Sequence, residues 1–318
     1  MHGIIIFFVV LFSITTIDST QAETWTLPPA DIDIFGQIRT VAASSEDTLL
    51  DIARRHGIGQ IEILLANPKV DRWLPVNGAE VILPNRYIIP QAKRKGLVLN
   101  LPEMRLYYFP ELKKGEKPLI VTHPVSIGRM DWNTPLGITK IVEKKKNPTW
   151  TPPQSLRDEA IARGDPPLPA FVPAGPDNPL GQYAMRLGTT SGSYLIHGTN
   201  KPFGVGMRVT HGCVRMYPED IETLFTQVPV GTQIQLVNQP IKLGWLASSL
   251  FIELHPPLEE DQDQFVDYTQ KVMDAINDFL IQESTDYRSH LPIHVEIDSQ
   301  ILKQAIAEKS GLPILISK

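Results

Sequence analysis

The chain contains a single cysteine, Cys213, in the stretch THGCVRM, with His211 two residues before it and Arg215 two residues after. A second histidine, His197 in YLIHGTN, stands 14 positions upstream of His211. A free thiol titrates near 8.5, so only a few per cent is thiolate at neutral pH. An adjacent imidazole can take the proton and hold the sulfur ionised, and backbone N–H groups can receive the oxyanion formed when a carbonyl is attacked. Residues i and i+2 of an extended segment share a face. His211 and Cys213 are therefore expected as neighbours, with Gly212 letting the backbone come close to a substrate. His197 ends the apolar run Tyr194-Leu195-Ile196, where a side chain would emerge from a sheet into a cleft. Two blander readings compete: a buried bystander thiol, and histidines that only cap turns. A zinc site of two nitrogens and one sulfur is the chemical alternative. It lacks a fourth ligand at a characteristic spacing, and the chain has no HExxH or CxxC pattern. No metal and no other cofactor is expected.

Three segments must position these groups. The first, about 35–85, reads as a short strand, a helix started by N-cap residues in Ser44–Asp47, a second helix over 61–66, and a closing strand at Val81-Ile82-Leu83. The second, about 95–240, carries short strands broken by Gly and Pro, which argues for a β-sandwich or barrel. Within it LVLNLPEMRLYYF alternates apolar and polar residues, placing Leu97, Leu99 and Leu101 opposite Val98 and Asn100. The segment also holds a brief helix at 155–162 inside the proline-dense stretch 147–179, and another at 219–225. A long Pro-rich excursion between strands predicts a binding loop or lid. The third, 241–318, predicts a small α+β appendage: a strand in LGWLASSLFIELHPPL, and a helix with Phe265, Tyr268, Val272, Ile276 and Leu280 on one face. A strand in HVEID, a helix in SQILKQAIAEKSG and a strand in LPILISK follow. The fold class expected is mainly β with α+β parts.

Composition narrows the setting. With 42% apolar and 20% charged residues the chain is ordinary for a folded protein, and its 318 residues are enough for two or three cores. A net charge of −5 gives no general pull toward nucleic acid, so no nucleic-acid partner is expected. The apolar run from Ile4 to Ile17, followed by Thr20-Gln21-Ala22, has the form of a signal peptide over residues 1–22 with cleavage before Glu23. That run is short for a membrane span of about 20 residues. An uncleaved anchor is the competing reading, since His2 is the only basic-type residue ahead of it. Export makes a lone thiol unusual, because secreted cysteines are normally paired. An intermolecular bridge, a bystander and a retained nucleophile are the readings left.

Two resemblances sharpen this picture. Thr48-Leu49, Ile52-Ala53, Asn67, Leu74, Asn77-Gly78 and Leu83-Pro84 resemble the LysM module, although Ser45-Glu46-Asp47 replaces its usual Gly-Asp. LysM modules have β-α-α-β order and bind N-acetylglucosamine chains, so the resemblance implies a glycan partner. HGTN followed by THGCVRM resembles the signature of the L,D-transpeptidase (YkuD) catalytic domain, over roughly residues 95–240. The arrangement looks most like the Gram-negative periplasmic type with LysM in front. On that resemblance Cys213 matches the nucleophile and His197 the general base, oriented by the carbonyl of Gly198. His211 and Gly212, with the Cys213 amide, would line the oxyanion site. Arg215 would grip a substrate carboxylate, and Asn200 is a further candidate for substrate binding. The implied reaction forms a thioester with the diaminopimelate of a peptidoglycan tetrapeptide stem, expels D-Ala, and passes the acyl group to an amine. The acceptor would be a second diaminopimelate or the terminal lysine of an outer-membrane lipoprotein. Hydrolysis of the thioester, or a noncatalytic glycan-binding role, are the rival classes.

Overall fold

The computed structural model describes residues 23–130, 134–190, 194–285 and 295–318. The signal segment expected over 1–22 lies outside them. No helix of the described residues is long and apolar enough to cross a membrane.

The chain begins with β1 (Glu23–Thr26) and β2 (Ile34–Gly36), followed by β3 (Arg39–Ala42), α1 (Leu49–Arg55), α2 (Gln60–Ala66), β4 (Glu80–Leu83) and β5 (Arg86–Ile88). Helix α1 starts one residue later than the predicted cap. The Thr48 hydroxyl accepts from the Asp51 amide at 3.1 Å, and the Asp51 carboxylate accepts from the Thr48 amide at 2.9 Å. This reciprocal pair satisfies two helix-end donors at once. Strands β3 and β4 pair antiparallel, Arg39 opposite Leu83. They close with the two helices around Leu49, Ile52, Ile58, Ile63 and Val81. Asn67 fastens α2 to β4, donating to the Ile63 and Ile82 carbonyls and accepting from the Ile82 amide at 2.7 Å.

The second segment contains β6 (Gly96–Asn100), β7 (Arg105–Phe109), β8 (Leu119–Pro124), β9 (Ile127–Gly128), β10 (Gly137–Lys146), α3 (Gln154–Arg163), β11 (Tyr183–Leu187), β12 (Leu195–His197), β13 (Arg208–Thr210), β14 (Val214–Arg215), α4 (Pro218–Gln227) and β15 (Gln233–Val237). Nine strands hydrogen-bond in the order β1-β8-β7-β6-β15-β10-β11-β12-β14. Strand β10 turns the corner: its first four residues pair with β15, while Ile141 to Lys146 pair with β11 across a register shift. Such a switch folds one sheet into two facing layers. Leu97, Leu99, Leu106 and Val121 of one layer meet Met185, Leu187, Ile196 and Val214 of the other, capped by Ile221 and Leu224 of α4. The curl closes where the Ser126 amide donates to the Arg215 carbonyl at 2.8 Å and the Arg215 amide donates back at 3.0 Å.

The alternation expected over 97–109 does not produce a solvent face. Strands β6 and β7 are buried along their whole length. Their outer side packs a second core of Val98, Tyr107 and Phe109 against Phe35, Tyr87 and Ile89. The first segment also grips the second. The Gln60 and Ile61 amides donate to the carbonyls of Val205 and Gly206 at 3.0 and 3.1 Å. Gly206 has φ +84, and a Cβ there would lie 2.2 Å from the Gln60 nitrogen, so glycine is required at this approach. Buried Arg105 pairs with Glu62 at 2.6 Å and donates to the Gly57 carbonyl at 3.1 Å.

In the third segment the single strand predicted at 243–258 is a hairpin, β16 (Ile241–Leu246) and β17 (Ser249–Leu254), turning at Ala247 with φ 53. Helices α5 (Tyr268–Thr285) and α6 (Ser299–Glu308) and strand β18 (Ile314–Leu315) complete it. Phe279, rather than Leu280, is fully buried beside Tyr268, Val272 and Ile276. The strand predicted in HVEID is reduced, among the described residues, to one bridge between Ile297 and Ser317.

A buried ionic cluster docks this appendage. The Lys242 ammonium lies 2.9 Å from Glu103 and 2.6 Å from Glu253, and donates to the Ile88 carbonyl at 2.8 Å. His255 contacts Glu253 at 2.7 Å, and the Ile88 amide donates to Glu253 at 2.6 Å. Taking one partner from a buried charge set leaves the other charges desolvated and unmatched. Lys242→Met is expected to lower the unfolding free energy by about 3–5 kcal/mol in denaturant titration. A loss below about 1 kcal/mol would contradict the docking role.

Candidate active site

Strands β12 and β14 run parallel, with Ile196 beside Val214 and His197 beside Arg215. Successive side chains alternate across a strand, and neighbours in register share a face. His197, Arg215 and Cys213, one step before β14, therefore project from the same face of the paired strands. Cys213 stands two residues before Arg215, the register partner of His197, and so lies diagonally across the paired strands from the imidazole.

His197 is 5% exposed. Its Nδ1 lies 2.6 Å from the Gly198 carbonyl oxygen, which can only accept, so Nδ1 carries the hydrogen. A neutral ring then has its lone pair on Nε2. Burial, reinforced by the Arg215 charge, holds His197 down at about 4, with the Gly198 and Leu180 carbonyls acting weakly the other way. Half-buried Cys213 is pushed up by burial, against the pull of the Leu195 amide and Arg215. At neutral pH the proton therefore rests on sulfur and the imidazole is uncharged. Burial at both groups thus favours the neutral thiol–imidazole pair over the thiolate expected from sequence.

The loop around the cysteine is fixed from several sides. Gly212 has φ +92, the left-handed region that favours glycine. This turn breaks the extended geometry expected for 211–213, so His211 does not stand beside Cys213 on one strand face. The Gly212 carbonyl accepts from the Thr134 hydroxyl at 3.0 Å, and that hydroxyl accepts from the Gly128 amide at 3.1 Å. The Gly212–Cys213 peptide is trans, so the Cys213 N–H points away from Thr134. The Cys213 carbonyl accepts from the Thr210 hydroxyl at 2.5 Å. These contacts hold one amide donor beside the sulfur.

Arg215 is half-buried on β14, and its buried Nε finds no acceptor among the described residues. Gly198 is buried, and a Cβ there would come within 3.1 Å of Ile221. Asn200 is exposed in the bend after Thr199, and no hydrogen bond joins it to the cysteine, His197 or Arg215 among the described residues.

His211 instead meets the proline-rich segment. Its Nε2 lies 3.3 Å from a carboxylate oxygen of Glu159 on α3 and 3.2 Å from Arg129 Nη2. Arg129 also donates to Glu159. Burial lowers the His211 pKa, and Glu159 opposes that shift. The segment is tied at its base by fully buried Asn178, which donates to the carbonyls of Pro148, Val172 and Pro173. Arg129, Thr134 and Glu159 were not among the site residues expected from sequence. Polar residues flanking a glycine-bounded turn were the available signal for the first two; nothing local marks the third.

His197, His211 and Cys213 do not converge as metal ligands. Among the described residues, three ligand-type atoms gather within 4.8 Å of one another only at Glu103, Glu253 and His255, where the Lys242 ammonium already supplies positive charge.

Residues 94–236 match the family model described as YkuD, the L,D-transpeptidase catalytic domain. Over 315 residues the chain is 38% identical to the probable L,D-transpeptidase YbiS of Escherichia coli (strain K12), covering 98% of this chain and 97% of the relative. It is 38% identical to the probable L,D-transpeptidase YcfS of the same strain, covering 86% of this chain and 89% of that protein. It is 36% identical to the probable L,D-transpeptidase ErfK/SrfK of Salmonella typhimurium (strain LT2), covering 98% and 95% respectively. With this identity running from end to end, and the catalytic-domain model lying over the His197 and Cys213 motifs, the chain belongs to the L,D-transpeptidase family.

Proposed function

We propose that this protein is a periplasmic cysteine L,D-transpeptidase acting on peptidoglycan tetrapeptide stems. The observation that carries the reading is the shared face of His197, Cys213 and Arg215, with the His197 lone pair on Nε2 because Nδ1–H is committed to Gly198.

The steps follow from those positions. As Cys213 sulfur attacks the carbonyl carbon at the L-centre of diaminopimelate, its proton passes to His197 Nε2. The carbonyl oxygen becomes an oxyanion received by the Cys213 N–H, which the Thr134 and Thr210 contacts orient. His211 and Gly212 line this part of the loop. Collapse breaks the bond to D-Ala, and the imidazolium returns the proton to the departing nitrogen. An acceptor amine then attacks the thioester, losing its proton to His197, and the sulfur leaves and is reprotonated. The bond energy of the cleaved peptide is retained in the thioester, so no nucleotide is needed. Arg215 offers two parallel donors to a substrate carboxylate, and Asn200 is at most a peripheral contact.

The α3 segment, pinned by Asn178 and bonded to the catalytic loop, favours transfer over hydrolysis by shielding the thioester from water. The acceptor is the lysine of an outer-membrane lipoprotein in this reading, with a second diaminopimelate as the competing amine. The LysM-like unit would hold glycan strands. Exposed Trp73, Leu74 and Val76, in its loop between α2 and β4, offer apolar surface for sugar faces.

Intact-protein mass spectrometry with a disaccharide tetrapeptide should show a thioester adduct and released D-Ala, both absent in Cys213→Ala. An amine acceptor should clear the adduct faster than buffer alone; equal clearance would make the protein a hydrolase. His197→Ala should slow adduct formation by roughly 10²–10⁴-fold. The neutral resting pair sets a pH signature. Because the thiol sits above its ordinary value, alkylation of Cys213 by iodoacetamide should rise about tenfold per pH unit between pH 6 and 8.5. A rate already flat across that range would reveal a preformed thiolate.

A further inference from the structure

One carboxylate already sits at the edge of this site. Glu159 of α3 accepts from Arg129 Nη2 and lies 3.3 Å from His211 Nε2, two residues from the nucleophile. Arg163, on the next turn of α3, approaches the same carboxylate at 3.5 Å but is largely exposed. Arg129 differs from Arg163 in where it is rooted. Its amide donates to the Thr210 carbonyl at 3.1 Å, and the preceding Gly128 amide donates to Thr134. Thr134 and Thr210 are the residues that hold the Gly212 and Cys213 carbonyls. Arg129 is thus built into the catalytic loop, whereas Glu159 arrives from the covering segment.

The grip on Glu159 is incomplete. A guanidinium holds a carboxylate best through two parallel N–H donors. Arg129 Nε is buried and finds no acceptor among the described residues, while Nη2 donates to Glu159; His211 Nε2, 3.2 Å from Nη2, serves the same carboxylate as an N–H donor. A buried donor left unmade carries a desolvation cost that a better-placed carboxylate would relieve.

The geometry points to Arg129 and His211 as a carboxylate seat for the peptide substrate, occupied by Glu159 until the peptide displaces it. The inference deepens the acyl-transfer reading and rests on it. The ligand is the free α-carboxylate of a peptide, from one of two sources: the terminal D-Ala of the donor stem, or the carboxylate beside the attacking amine of an acceptor. Displacement would free Glu159 and with it α3, so that filling the seat and opening the cover are one event.

The test uses the full chain, a tetrapeptide ending in D-Ala, and the same peptide with a C-terminal carboxamide. Acylation of Cys213 is read by mass spectrometry. If the donor fills the seat, the acid should acylate the wild-type protein at least tenfold faster than the amide. Arg129→Met should slow the acid at least tenfold more than it slows the amide, so that the two rates converge. Glu159→Gln, which leaves the guanidinium in place, should lower the acid's KM several-fold without helping the amide. If the acceptor fills it, the same pattern should appear instead in thioester clearance by amines with and without an adjacent carboxylate. Acid and amide behaving alike in both steps, or both variants slowing both peptides equally, would overturn the inference and leave Glu159 a structural clasp. Should no adduct form with either peptide, the acyl-transfer reading fails. The seat is then read by calorimetry on Cys213→Ala: preferential binding of the acid, lost on adding Arg129→Met, supports it, and equal binding overturns it.

Discussion

Ile196 beside Val214, and His197 beside Arg215, is a register that two short parallel strands must keep without error. A slip of one residue would turn every side chain on one strand to the opposite face. The imidazole and the thiol would then look into different layers of the fold. The register is kept because Ile196 and Val214 are both buried in the main core, so a slip would expose one and bury polar groups in its place. The backbone of Arg215 is also clasped on its far side by Ser126, which closes the curled sheet at the site itself. His197 and Cys213 therefore stand at the seam where the two ends of the sheet meet.

The remaining parts of the molecule bear on that seam. β9, just after β8 in the chain, pairs with β13 ahead of the cysteine loop, and Thr134 holds that loop through the Gly212 carbonyl. The first segment presses α2 onto Val205 and Gly206, within the stretch that joins the two histidine motifs. The appendage is locked to β5, β7 and the turn before β7 by the Lys242 cluster. Its charges are matched by residues from three segments, so docking has a defined geometry, which apolar contact alone would leave looser.

Sequence reasoning reached those parts whose logic is local. Strand parity after an apolar run placed His197 at a sheet end, and the helix signals at Leu49, Ser155 and Glu219 lie within a residue or two of α1, α3 and α4. It failed where a distant partner changes the meaning of a residue. Asn100 and Arg105 look solvent-facing in an alternating strand, yet both are buried because Glu103, Gln239 and Glu62 meet them. The turn at Ala247 carries no Gly, Asn or Pro, and only the pairing of β16 with β17 imposes its positive φ. An extended backbone through Gly212 would set His211 beside Cys213, but that glycine turns left-handed. Its true partners, Glu159 and Arg129, lie 52 and 82 residues away along the chain.

The central claim is that His197 waits as a neutral base with its hydrogen on Nδ1. Nitrogen-15 NMR of histidine-labelled protein reads that state directly. At pH 7 the His197 ring should show one protonated and one bare nitrogen, becoming charged only as the pH falls toward about 4. A doubly protonated ring at pH 7, turning neutral when Cys213 is replaced by alanine, would contradict it and show that the sulfur had already given up its proton.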